Sequence, residues 1–171
     1  MRLARSSRLM FGWSLLKQQR FDEARKVADA ALVDSPDDGQ VHFFAARLAW
    51  LEQKDPRAAL PVIEAGLLAA TDGVGRARLI NLRGAVFDEL GDFAQALEWF
   101  HKALAISDST GLDHDTGQKT GDPTMTHAIL SNIAEAHWKL GQRAEARNFA
   151  DQAARRGSKT EIVKTILAET K

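Results

Sequence analysis

The sequence predicts an all-α fold made of repeated antiparallel helix hairpins, and three observations carry that prediction. Apolar residues in the stretch Arg78 to Ile106, RLINLRGAVFDELGDFAQALEWFHKALAI, return at helical spacing. A break of only a few residues at Gly91-Asp92 divides that stretch into two segments. Weaker copies of the same pattern recur elsewhere in the chain.

In the first segment, Leu79, Leu82, Val86 and Leu90 recur at three- or four-residue steps, with Ile80 and Phe87 widening the stripe. Gly84 lies inside this helix, where glycine costs about 1 kcal/mol relative to alanine, so its presence points to close approach of the partner helix. Gly91 suits the left-handed residue that ends a helix, and Asp92 can cap the next one. In the second segment Phe93, Ala96, Leu97, Phe100, Ala103 and Leu104 keep the spacing, and the two alanines are small enough to let helices nest. Each helix alone is too short to hold in water. So short a turn packs the two antiparallel.

The signature repeats in GWSLLKQQRFDEARKVADAALVDSP, with Gly12, Phe21, Ala24, Ala31 and Pro36 in matching order, and in LGQRAEARNFADQA, with Gly141, Ala146 and Ala153. Residues 42–65 match more weakly, through Ala46, Ala58 and Ala65. The equivalent alanines Ala24, Ala58, Ala96 and Ala146 stand 34, 38 and 50 residues apart. On these residues the chain resembles the tetratricopeptide-repeat family over nearly its whole length, and the first step equals that family's period. Departures are the absence of Tyr, Arg83 where a leucine is usual, and Ala46 for the glycine of the second repeat. The resemblance implies a right-handed α-solenoid of about four antiparallel helix pairs plus a C-terminal capping helix, all in one domain over residues 1–171.

Repeat one is expected over residues 5–38, with helices near 5–18 and 22–34. Asp22 and Glu23 stand at the positive end of its second helix, and Asp38 can cap the helix that follows. Repeat two, 39–72, opens with Val41, Phe43, Phe44, Leu48, Trp50 and Leu51, apolar nearly all round. Asp55-Pro56 is an N-cap followed by proline at the first helical position. Pro61 should then kink or loosen that helix, and Gly66 adds to the effect. Repeat three, 77–108, follows a linker Asp72-Gly73-Val74-Gly75. A loop at 109–122 accounts for the long last spacing, and Asp122-Pro123 reads as the cap and start of repeat four, 123–156. Ser158 and Glu161 form a capping box opening a final helix over 158–170, apolar on one face through Ile162, Val163, Ile166 and Leu167. Solenoid ends need such a helix.

Composition bounds the work the chain can do. Lys plus Arg equals Asp plus Glu at 23 each, so no global field recruits nucleic acid or an anionic membrane. No stretch approaches the ~18 apolar residues of a membrane span. Cysteine is absent, which excludes disulfides and Cys-based metal sites. The basic start MRLARSSRLMF lacks the apolar run and cleavage site of a secretory signal, and it reads as the first helix of repeat one. A cytoplasmic location is the expectation.

No reaction is encoded in a recognisable motif: there is no G-x-S-x-G, P-loop or H-E-x-x-H. Asp113-His114-Asp115 is the most site-like tripeptide, but adjacent loop residues do not converge on a metal, and His42, His101, His127 and His137 lack ligand spacing. The expectation is therefore no enzyme, no cofactor and no metal.

The resemblance instead implies that the first helices of successive repeats line a concave surface holding a peptide or protein segment. Repeat one would offer Leu9, Trp13, Leu16 and Lys17, and repeat two Phe43, Arg47 and Trp50. Repeat three would offer Arg78, Asn81, Asp88 and Glu89, and repeat four Ser131, Glu135, Trp138 and Lys139. Trp and Arg dominate interface hot spots, so Trp13, Arg47 and Trp50 are the favoured anchors. Members that grip a C-terminal carboxylate use lysine and asparagine where Leu9 and Trp13 stand here, so an apolar or basic segment is the expected ligand. Self-assembly through the terminal helices, and service as the regulatory segment of a larger protein, are the alternative readings.

Overall fold

The computed structural model describes residues 5–109 and 123–170, and every regular element among them is helical. In chain order these are α1 (Arg5–Lys17), α2 (Phe21–Asp34), α3 (Gly39–Gln53), a 3-10 turn (Pro56–Ala58), α4 (Ala59–Ala69) and α5 (Gly73–Glu89). There follow α6 (Phe93–Ser109), α7 (Pro123–Lys139), α8 (Arg143–Arg155) and α9 (Glu161–Glu169). The order is that of an α-solenoid: four helix pairs, then a closing helix. Asp113, His114, Asp115 and Asp122 lie outside the described residues. Contacts divide the chain into two compact units, 1–82 and 83–171, the division falling within α5.

Local chemistry sets the helix ends. Gly91 and Gly141, at φ 80° and 75°, take the left-handed conformation that closes α5 and α7. Gln19 and Lys54 hold the equivalent places after α1 and α3 at φ 58° and 53°, where an L side chain costs roughly 1–2 kcal/mol. A left-handed residue therefore follows the first helix of all four hairpins, although only two of these residues are glycine. Asp38 caps α3 by accepting from the Gln40 N–H at 2.8 Å, and Asp55 and Asp92 accept from Arg57 and Gln95 at 2.9 and 3.1 Å.

Within residues 1–82, Leu15, Val41, Phe44 and Leu48 pack on the alanine face of α2, Ala24, Ala28 and Ala31. Gly12 is fitted to this core, since a Cβ there would stand 2.7 Å from Phe44 Cζ and 3.0 Å from Val27. Within residues 83–171, Leu130 and Ala134 of α7 meet Ala146, Ala150 and Ala153 of α8, with Val163 and Ile166 of α9 sealing the cluster. Each large apolar side chain so buried contributes roughly 1.5–3 kcal/mol relative to exposure. Gly84 admits the ring of Phe100, whose Cδ1 and Cε1 would both lie 2.5 Å from an added Cβ. Arg83, in place of the usual leucine, lays its guanidinium 4.2 Å over the Trp99 ring, with the Lys102 ammonium also at 4.2 Å.

Three expectations are corrected. Residues 73–75 are not linker but the first turn of α5. The Asp72 carboxylate accepts from the Gly75 and Gly39 amides, and a Cβ on Gly75 would meet Gly39 Cα at 2.6 Å, so these glycines let two helix starts touch. Pro61 does not interrupt α4: the segment begins as a 3-10 turn and becomes α-helical at Ala59, placing the proline in the first α-turn, where its missing N–H has no partner to lose. Gly66 is a packing residue and not a weak point, for a Cβ would lie 2.6 Å from His42 Cβ and 2.9 Å from Leu79. Finally, the capping box does not form. The helix starts at Glu161 after Thr160, because Ser158 is drawn into hydroxyl contacts with Ser131 at 2.9 Å and Thr160 at 3.2 Å.

Candidate partner-binding surface

In residues 1–82 a cavity of about 200 Å³ is lined by Leu9, Met10 and Trp13 of α1, Asp38, Gln40 and Phe43 at the start of α3, and Arg78 of α5. Trp13 forms its wall: the indole lies 5.7 Å from Phe43 at a tilt of 46° and meets the buried Phe44 edge-on at 5.1 Å. The aromatic pair is thus held from behind by the core while one side stays open. Met10, 71% exposed, makes an adaptable lip. Four residues expected on the groove, Leu9, Trp13, Phe43 and Arg78, are brought together here. Met10, Asp38 and Gln40 belong to the same hollow and are not among those expected. The signal for Met10 is its place three residues before Trp13, which puts both on one helix face.

Other expected positions fare differently. Lys17 is exposed, and Arg47 rests its guanidinium 4.9 Å from the Trp50 ring, both residues half-buried. Leu16 is not a surface residue: at 5% exposure it belongs to the core with Leu15 and Phe44, because the wide apolar face of α1 is used mostly for packing. Asn81 is half-buried and Glu89 exposed.

In residues 83–171, Asp88, Glu135 and Lys139 form one ion-paired group. The Lys139 ammonium stands 2.5 Å from Asp88 and 3.0 Å from Glu135. Burial pushes that ammonium down, but the hydrogen bonds and charges of the two carboxylates outweigh it and hold it above the ordinary lysine value. Ser131 is buried at 4% exposure; its hydroxyl donates to the His127 carbonyl at 2.8 Å and meets Ser158, so it faces the entry to α9 and lines no groove. Trp138 packs against the α7–α8–α9 core and lies beneath the Arg143 guanidinium at 3.4 Å. It opens onto a second hollow of about 440 Å³, shared with Arg143, Ala144, Arg147, Glu169 and Thr170.

His101 and His137 are packing elements. The His137 ring stacks on Phe149 at 5.4 Å, with its Nδ1 2.5 Å from Gln142 Oε1, and His101 meets the same Phe149 edge-on at 5.5 Å. Burial, and then the charge of His137, push the His101 imidazolium below its ordinary value. Among the described residues no group of three His, Cys, Asp or Glu side chains could hold a metal ion, and no helix is long and apolar enough to cross a membrane.

Comparison with known proteins agrees with this architecture. Tetratricopeptide-repeat models match residues 9–74, 77–110 and 126–160, which together span most of the chain. No curated protein matches it. A structure described as a functional characterisation of Pseudomonas aeruginosa pilF is similar at a TM-score of 0.73 and 17% identity, covering 97% of this chain and 67% of that one. The structure of TTC0263, a thermophilic TPR protein in Thermus thermophilus, matches at a TM-score of 0.46 and 20% identity, with 98% of both chains covered. The chain belongs to the tetratricopeptide-repeat family, whose repeats form protein-interaction and scaffold modules.

Proposed function

We propose that the protein is a non-enzymatic, cytoplasmic interaction module that holds a segment of a partner protein on the first helices of its repeats, with the Trp13 cavity as the principal anchor. The observation that carries this reading is the meeting of Leu9, Trp13, Phe43 and Arg78 around one hollow with Met10 at its lip. Its volume, about 200 Å³, suits one bulky apolar side chain of a partner. Aromatic walls already fixed by the core would bind such a side chain with little ordering cost.

A photo-crosslinking residue at position 10 tests this, with the same residue at position 68, whose native Leu68 is 90% exposed, as the comparison. Partner adducts should form from position 10, and Trp13→Ala should remove them while helical content persists. Adducts that are equal from both positions, or that survive Trp13→Ala, would refute the anchor. A second reading, self-association through α1, is favoured by the exposure of Met10 and of Phe11, the latter 51% exposed. Light scattering at high concentration distinguishes it: a monomer dismisses the idea.

A further inference from the structure

We propose that the hollow between the start of α8 and the end of α9 is a second binding site, one that takes a segment presenting a single carboxylate beside an apolar side chain. It lies wholly within residues 83–171 and does not depend on the Trp13 cavity.

Arg143 lines this hollow. Its guanidinium lies flat on Trp138, 3.4 Å from the ring centroid, and NH1 donates to the Trp138 carbonyl at 3.4 Å. No carboxylate among the described residues pairs with it. A guanidinium stacked in this way keeps its in-plane N–H groups directed outward, and these match the two oxygens of a carboxylate. Stacking also fixes the side chain in advance, so less rotamer freedom is lost when an anion arrives. Arg147, one turn further along α8, donates to the Thr170 carbonyl at the end of α9 and lies 3.9 Å from Asp151. Its charge faces the same hollow, but its hydrogen bonding is committed to holding α9. Arg143 is therefore the recognising group and Arg147 a positioning one.

The rest of the lining sets the ligand's shape. Trp138 and Ala144 give an apolar floor, which suits an aliphatic neighbour of the acid. Glu169 adds one negative charge to the rim, so a run of acidic residues is disfavoured against a single one. Charge complementarity to Arg143 and exclusion by Glu169 together select an isolated acidic residue in an apolar context.

The test is fluorescence anisotropy with a labelled peptide Gly-Ser-Leu-Glu-Leu-Ser-Gly and its partner in which Gln replaces Glu. The Glu peptide should bind in a salt-sensitive manner, and the Gln peptide about tenfold more weakly. Arg143→Gln should bring both peptides to the weaker level, and Arg143→Lys should fall between, since it keeps the charge and loses the planar fork. Circular dichroism establishes that each variant remains helical. Absence of binding up to millimolar peptide, equal affinity for the two peptides, or insensitivity to Arg143→Gln would overturn the proposal. Binding abolished by Trp13→Ala but not by Arg143→Gln would also overturn it, and would assign the peptide to the first cavity instead.

Discussion

Replacing Gly84 with alanine pits two well-defined effects against each other. Helix propensity favours the change by about 1 kcal/mol, because Gly84 lies mid-helix in α5. Space opposes it. The new Cβ would lie 2.5 Å from both Cδ1 and Cε1 of Phe100 and 3.2 Å from the Ala96 carbonyl oxygen. Ordinary contact needs about 3.5–4 Å, so the ring must retreat by roughly 1 Å. Phe100 is 2% exposed and has no free volume into which to turn. Overpacking costs about 1–3 kcal/mol, and an overlap this deep with two ring atoms falls in the upper part, about 2–3 kcal/mol, so that less the propensity gain the net loss is about 1–2 kcal/mol. For a chain of this length that lowers the melting temperature by roughly 2–8 °C. Thermal and urea denaturation followed by helical circular dichroism measure it, with Gly84→Ala/Phe100→Leu expected to recover part of the loss. A Gly84→Ala protein as stable as the parent or more so would refute the close-approach account.

Three further outcomes are expected. Gln19→Gly and Lys54→Gly should each stabilise by about 0.5–1 kcal/mol, because both residues occupy positive φ where glycine has no Cβ penalty; an unchanged denaturation midpoint would contradict this. The neutral form of His101 is favoured in the folded state, so the unfolded chain binds more protons just below pH 6.5 and stability should fall as pH drops through that value, levelling off below the folded pKa. His101→Phe should flatten that part of the profile, and an identical pH slope in the variant would exclude the assignment. A double-mutant cycle on Asp88→Ala and Lys139→Ala should give a coupling of about 1 kcal/mol that shrinks with salt, while zero coupling would mean that the pair is ornamental to stability.

The turn at Lys54 shows where sequence reading reaches its limit. Gly91 and Gly141 announce left-handed helix ends because glycine is the residue that tolerates them cheaply, and Asp38, Asp55 and Asp92 announce helix starts because a short carboxylate reaches its neighbours' amides. Gln19 and Lys54 adopt the same left-handed geometry with no such signal, since the helix pairs on either side impose it. Ser158 shows the converse. Its spacing from Glu161 is a good local cap, yet the hydroxyl of Ser131, 27 residues away in sequence, draws it elsewhere.

The candidate surface divides in the same way. Helical periodicity says that α1 has a broad apolar face, but not which part is covered: Leu16 is buried in the core while Met10, six residues earlier, is open. On α7, the charged Glu135 and Lys139 are tied to Asp88 of α5, and Trp138 turns towards α8 and α9 beneath Arg143. The sequence by itself determined the all-α class, the repeat register and most helix ends, because those depend on residues within a few positions of one another. Only the tertiary structure decided which apolar residues remain accessible, which charges neutralise each other and where two hollows open. Those outcomes depend on side chains from helices far apart in the chain, whose meeting no local pattern encodes.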